Sequence, residues 1–236
     1  MKRESVLSWL QGRKYVVLLS SVVLLIVLYP ILRSQHFDKE SLNILLSLVL
    51  AAAIFALSQR RRPFLLALVL GIPALSLTWG PNVAGAASET VYGSLVVVRF
   101  CAHLILLSYA AILILYDVLH GGPVTADKLC GSMCVYLLIG VIWAVLYSLI
   151  EYDSPGSFAV TQAALALDAR NGSGYEAFAT LEYFSFVTLT TLGFGDVTPA
   201  SSAARTLTSF EAVLGQLYLA VMIARLVGLH IVHADQ

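Results

Sequence analysis

The residues of this chain best placed to do chemistry are Thr191, Gly193, Gly195 and Asp196, which lie in one short run between two apolar segments. Glycine is unfavourable inside a helix or a strand because it loses more conformational freedom on folding than other residues. Irregular backbone at membrane depth is tolerated only where protein buries it or where it lines a water-filled cavity. Glycines at alternate positions let successive carbonyls point the same way, so several copies of the run would stack rings of oxygen atoms. We call residues 191–195 the glycine segment and expect its carbonyls to be ligating groups.

The composition is that of a membrane protein. Of the 236 residues, 59% are hydrophobic and 12% are charged, and the mean hydropathy is +0.86. The net charge is zero, which makes nucleic acid an unsuitable partner. The sequence contains no Walker loop, metal-ligand motif or nucleophile constellation, so we expect no enzyme.

Six apolar runs approach the ~20 residues that a helix needs to cross a bilayer, and a shorter helix precedes the glycine segment. The predicted crossing helices are 15–32, 41–58, 64–79, 91–116, 129–151 and 201–230, and the predicted short helix is 175–190. The fold class expected is therefore an all-α membrane protein with six transmembrane helices, a re-entrant helix and a loop.

The distribution of basic residues predicts the orientation, because cytoplasmic loops of membrane proteins are enriched in lysine and arginine. Eight basic residues lie in the segments predicted to be cytoplasmic, against four in the segments predicted to be outside. We expect a multi-pass protein of the cell membrane with both termini in the cytoplasm and the glycine segment on the outer side. The compact length favours a bacterial inner membrane.

The run from Tyr183 to Pro199, YFSFVTLTTLGFGDVTP, resembles the pore loop of the potassium-channel family. Its threonines, glycines, acid and proline fall at the family's spacing between two membrane helices. The resemblance covers about residues 129–230, and it implies a passive, potassium-selective channel. One loop supplies a quarter of a filter, so the implied partners are three further copies in a homotetramer and the surrounding lipid bilayer.

In such a channel the filter residues here are Thr191, Leu192, Gly193, Phe194 and Gly195, whose carbonyls bind permeant potassium ions; no other cofactor is implied. Most family members have valine and tyrosine at the positions of Leu192 and Phe194. A weakly selective cation channel, and a nonconducting membrane sensor or assembly partner, therefore stay open as alternatives.

The resemblance also assigns residues that support the filter. Tyr183 matches the aromatic donor that bonds to the acid after the filter, here Asp196; the alternative is that Tyr183 lies at the membrane interface with its hydroxyl in water. Glu151 resembles the glutamate that braces the outer pore of voltage-gated channels, or it is a solvated helix end.

Further residues are assigned on the last helix. Gly215 is placed as a gating hinge or as a site of close helix packing, and Gln216, Leu219 and Ile223 are expected to face the inner cavity. Glu211 is an acid within the membrane, where ionisable residues are costly. It either tunes the cavity potential or bonds to groups behind the short helix.

The glycine-rich connection near 121–123 predicts two domains: a four-helix peripheral domain, residues 1–128, and a pore domain, residues 129–236. The fourth helix has Arg99 but no arginine array, so the peripheral domain is not expected to sense voltage. Arg99 and His103 form either a structural polar pair, with a partner such as Asn43, or a proton-sensing or lipid-contact pair.

Overall fold

The computed structural model describes residues 13–33, 38–58, 61–83, 89–120, 125–162 and 177–234. Both predicted cytoplasmic ends, 1–12 and 235–236, lie outside these ranges. The elements follow in the order α1 (Lys14–Arg33), α2 (Asp38–Ala56), α3 (Arg61–Val83), α4 (Glu89–Leu119), α5 (Ala126–Asp153), β1 (Phe158–Val160), α6 (Ala177–Leu189), β2 (Val197–Pro199) and α7 (Ser202–Ala234).

Each of the seven predicted helices is present, and the ends differ from the prediction by up to four residues. The third helix continues through Gly71 and Pro73, two residue types that are unfavourable inside a helix. Proline is tolerated inside membrane helices because neighbouring helices and hydroxyl side chains satisfy the backbone groups that it frees.

Four helices are long and apolar enough to cross a membrane within the described ranges: Arg61–Trp79, Val91–Leu119, Ala126–Asp153 and Ser202–Arg225. The apolar stretches of α1 and α2 are shorter, Lys14–Tyr29 and Ser41–Ala56. Sixteen helical residues rise ~24 Å, less than the ~30 Å hydrocarbon core. The structure is thus all-helical with four candidate spans, and six crossings remain a prediction.

One apolar core joins the first four helices to α5. Leu18, Val22, Leu25 and Tyr29 recur along one face of α1 and are buried, as expected for residues three or four apart on a helix. Both α1 and α4 pack against α5. The ring of Tyr15 lies where a side chain at Gly131 would fall, 2.9 Å from an added Cβ, so the glycine lets α1 approach α5 closely.

A second, smaller core lies between α5, α6 and α7. It contains Trp143, Tyr147, Phe158, Leu181, Phe184, Val197 and Ala204. Phe158 and Val197 belong to β1 and β2, which pair antiparallel with Phe158 opposite Pro199 and Val160 opposite Val197. These strands, which the sequence analysis did not predict, connect the end of α5 to the residues directly after the glycine segment.

Helix α7 is the least covered of the long helices. Only 17% of its candidate span is buried, against 56% for α5. Its covered side contains Glu211, Gly215 and Met222, spaced four and seven residues apart as on one helical face. Large apolar side chains such as Phe210 and Leu217 are more than half exposed, so most of this helix is open to other chains or to lipid.

Candidate functional site

The glycine segment begins where α6 ends. The last carbonyls of a helix have no partner within it, and here the following amides turn back to bond them. Thr191 N donates to the carbonyl of Thr188 at 3.0 Å, and Leu192 N donates to the carbonyl of Val187 at 2.9 Å. The amides of Thr191 and Leu192 are therefore bonded to the C-terminal end of α6, which carries a partial negative charge.

The backbone of the segment alternates in handedness. Thr191, Gly193 and Gly195 have φ values of +60°, +60° and +79°, whereas Leu192 and Phe194 between them have negative φ. Glycine adopts positive φ at no steric cost. Threonine rarely does, so the conformation of Thr191 is strained. When the sign of φ alternates, the backbone reverses its turn at each residue. Successive carbonyls can then face the same side, whereas in an extended strand they face opposite sides.

The carbonyls of the segment accept no hydrogen bond from any residue that the structure describes. The next carbonyl along the chain, that of Asp196, does accept one, from Thr161 N at 2.9 Å. All five residues of the segment are exposed. Unpaired backbone carbonyls are costly away from water. A row of them at a helix end, between apolar helices, is suited to binding a cation.

Tyr183 on α6 bonds to the acid that follows the segment. Its hydroxyl donates to Asp196 Oδ2 at 2.9 Å, and Asp196 Oδ1 accepts from Val197 N at 3.1 Å. The predicted Tyr183–Asp196 bond is confirmed; its effect on the segment is untested. Phe194, which lacks a hydroxyl, stacks on the Tyr183 ring with centroids 6.4 Å apart and planes 7° from parallel.

Glu151 at the end of α5 is also bonded rather than solvated. Its carboxylate accepts from Gly156 N at 2.8 Å and from Phe158 N at 3.0 Å. Phe158 begins β1, and β1 pairs with the strand that leaves the glycine segment. Glu151 therefore bonds the turn between α5 and β1, and its predicted role in bracing the outer pore stays a prediction.

Glu211 is fully buried and lies at a junction of three helices. Tyr147 on α5 donates its hydroxyl to Oε2 at 2.6 Å, and Ser185 on α6 bonds Oε1 at 2.5 Å. Of the two expectations for this acid, the bond behind the short helix is present. Sequence reasoning did not identify Tyr147 and Ser185 as its partners, because they lie 64 and 26 residues away.

Gly215 lies against the end of α6. A Cβ added there would be 2.7 Å from the carbonyl oxygen of Leu189 and 2.8 Å from its Cδ1, so close packing is present. The proposed hinge remains a prediction. Gln216, Leu219 and Ile223 are exposed on α7, and their predicted position in a cavity is untested within one chain.

His103 on α4 is buried and pairs with Thr78 on α3 rather than with Asn43. Its Nε2 lies 3.1 Å from Thr78 Oγ1, and its Nδ1 lies 2.6 Å from the carbonyl of Arg99. Thr78 also donates to the carbonyl of Ala74 at 2.8 Å. The suggested partner of His103, Asn43, was therefore wrong, and His103 and Thr78 form a contact between α4 and α3.

Comparison with known proteins concerns the same part of the chain. No curated protein and no solved structure matches the chain. Residues 129–229 match the family model described as "Ion channel", and these residues comprise nearly all of α5 together with β1, α6, the glycine segment, β2 and most of α7. The match supports passive ion conduction by a multi-pass membrane protein. Residues 129–229 are thus similar to an ion-channel family.

Proposed function

We propose that this chain forms a homotetrameric potassium channel in which ions pass down their electrochemical gradient through a filter built from four copies of the glycine segment. The observation that carries the proposal is the row of carbonyls at residues 191–195, which alternate in backbone handedness and accept no bond from the described residues. A single chain supplies this row but no opposing wall.

Selectivity follows from replacing the water around the ion. Rings of carbonyl oxygens substitute for the hydration shell of potassium, and the hydroxyl of Thr191 would add the innermost ligands. The negative end of the α6 dipole also favours a cation below the filter. The amides of Thr191, Leu192 and Gly193 bond to the end of α6, and the carbonyls of the segment would face the central axis of the tetramer.

The oligomer is supported by the surface of α7. Large apolar side chains such as Phe210, Leu217 and Val221 are exposed along this helix, and Leu192 and Phe194 of the glycine segment are exposed as well. We infer that adjacent copies cover part of this surface and that Gln216, Leu219 and Ile223 line the cavity below the filter. Gating near Gly215, with residues 1–128 as a peripheral domain, completes the proposal.

We further propose that the protein resides in a bacterial inner membrane with both termini in the cytoplasm. Arg99 is the only arginine on α4. One charge crossing the full field contributes ~2.3 kcal/mol per 100 mV, so any voltage dependence from four copies would be shallow. The peripheral domain then responds to a different input.

A weakly selective cation channel is the second candidate, and one observation favours it. Phe194 has no hydroxyl with which to tie the filter to its surroundings, and the ring contact that it makes among the described residues is the stacking on Tyr183. Less rigid carbonyls discriminate less well between ions of different size.

The test is ion flux in liposomes that contain the purified protein. Potassium-driven and sodium-driven fluxes are compared for the wild type, for Gly193→Asp and for the helix variant Gly93→Ala. We expect potassium flux well above sodium flux, abolished by Gly193→Asp and kept by Gly93→Ala. Equal fluxes would assign the second candidate, and no flux from any ion would leave a nonconducting sensor or assembly partner.

The tetramer is tested separately by native mass spectrometry of the detergent-solubilised protein. We expect a species of four times the chain mass of 25.5 kDa. A monomer or dimer that still conducts potassium would contradict the proposed filter.

A further inference from the structure

The hydrogen bonds around Glu211 determine where its proton must be. Ser185 Oγ lies 2.5 Å from Glu211 Oε1 and also 2.8 Å from the carbonyl oxygen of Gly140. A serine hydroxyl has one proton, and a carbonyl can only accept. If Glu211 were ionised, Ser185 would face two acceptors with a single donor, and one close pair of oxygens would have no proton between them.

Adding one proton to Glu211 provides a donor for each of the close contacts among Glu211, Ser185, Tyr147 and Gly140. The acid then donates from Oε1 to Ser185 Oγ, Ser185 donates to the carbonyl of Gly140, and Tyr147 donates to Oε2, 2.6 Å away. Three donors meet three acceptors. Buried polar groups are normally paired in this way, because an unmatched one loses its bonds to water without compensation.

The surroundings agree with a neutral acid. The groups whose interactions with Glu211 are resolved are Ser185 on α6 and Tyr147 and Tyr136 on α5. No basic side chain faces it from the described residues of the packed helices. An ionised carboxylate here would be buried without a countercharge, and isolated buried charges are neutralised rather than kept.

We propose that Glu211 is a neutral carboxylic acid in the working protein. Together with Ser185 and Tyr147, it acts as a positioning residue that fixes α6 to α5 and α7. This inference deepens the proposed function and rests on it. Ser185 lies two residues before Val187, whose carbonyl receives the amide of Leu192 at 2.9 Å and that of Gly193 at 3.4 Å. A shift of α6 at Ser185 is therefore passed directly to the filter carbonyls.

The central variant is Glu211→Gln, which resembles the neutral acid. Its amide group can donate to Ser185 while its oxygen accepts from Tyr147. Glu211→Ala and Ser185→Ala break the network. Ser148→Ala is the matched control, because the buried Ser148 hydroxyl donates within its own helix, to the carbonyl of Ala144 at 2.8 Å, and to no other residue that the structure describes. Potassium and sodium fluxes are measured for each variant in liposomes.

A second readout does not depend on conduction. Infrared difference spectra of the wild type against Glu211→Gln report whether a protonated carboxyl is lost. Glu182→Gln serves as the reference for a second buried carboxyl, on α6, one oxygen of which has no partner among the described residues. Titration to alkaline pH then shows when the Glu211 band disappears.

We expect the protonated-acid band at neutral pH in the wild type and its loss in Glu211→Gln. This variant and Ser148→Ala should keep the wild-type ratio of potassium to sodium flux, while Ser185→Ala lowers it about tenfold, the factor that corresponds to one buried hydrogen bond. As alkaline pH removes the acid band, the wild-type ratio should fall and the Glu211→Gln ratio should not.

Two results would overturn the inference: an ionised Glu211 at neutral pH, or a Glu211→Gln variant as unselective as Glu211→Ala. If Glu211→Ala does not fold, Glu211→Gln and Ser185→Ala still decide. A wild type without flux would refute the proposed channel, whereas the infrared band would still establish the state of the acid.

Discussion

Replacing Gly215 by alanine tests how tightly α7 is held to the end of α6. The new Cβ would lie 2.7 Å from the Leu189 carbonyl oxygen, whereas ordinary contact begins at 3.4 Å. The two helices must therefore separate by ~0.7 Å, and overpacking of this kind costs about 1–3 kcal/mol. Alanine also favours the helix by about 1 kcal/mol over glycine, which offsets part of that cost.

Gly93→Ala separates the two effects. Its Cβ would meet only the Tyr152 hydroxyl, at 3.1 Å, which is the end of a flexible side chain. Both variants gain the helix propensity, so Gly215→Ala should be less stable than Gly93→Ala by about 1–3 kcal/mol. For a chain of this length that corresponds to a melting midpoint lower by about 2–4 °C per kcal/mol.

The shift should also change the filter. Functional geometries tolerate displacements of about 0.5 Å, and the Leu189 carbonyl directly precedes the residues that lead into the glycine segment. We expect Gly215→Ala to lower the ratio of potassium to sodium flux as well as the melting midpoint. If it is as stable as Gly93→Ala and equally selective, the contact argument is wrong. A change confined to the fraction of open channels would instead identify Gly215 as a hinge.

Three further predictions concern single hydrogen-bonded residues. Tyr183→Phe keeps the stacked ring but loses the hydrogen bond to Asp196, which on a partly exposed charged acceptor contributes about 1 kcal/mol. Conduction should then decline faster during sustained potassium flux, and an unchanged time course would argue against a filter role for Tyr183. Glu151→Ala leaves the amides of Gly156 and Phe158 without their acceptor, so proteolysis after residue 153 should accelerate and the ratio of potassium to sodium flux should fall. Equal cleavage rates in variant and wild type would contradict the proposal that Glu151 holds this turn. Tyr15→Phe removes the hydroxyl that donates to Asp117 Oδ2 at 2.5 Å, and it should lower the melting midpoint by a few degrees without changing the ratio of potassium to sodium flux. A fall in that ratio would show that the contact between α1 and α4 affects the geometry of the filter.

Much of the fold was readable from the sequence because membrane helices are continuous apolar runs. The predicted helices at 129–151 and 175–190 correspond to Ala126–Asp153 and Ala177–Leu189. The Tyr183–Asp196 bond was also predictable, since its partners are 13 residues apart within one motif. In these cases the signal lies within a single stretch of chain.

Other features have no local signal. Strands β1 and β2 have three residues each, too few for a period of two to be recognised, and they form because Glu151 fixes the turn that brings them together. The positive φ of Thr191 contradicts the ordinary preference of threonine and is imposed by the end of α6. The partner of His103 is on another helix, 25 residues away.

The sequence by itself determined that this is a helical membrane protein and which residues form the glycine segment, because hydropathy and motif spacing are properties of neighbouring residues. Only the tertiary structure decided which groups hold that segment: Tyr147 and Ser185 on Glu211, β1 on β2, and Gly215 on Leu189. These contacts join residues far apart in the chain, and their geometry depends on how the helices pack.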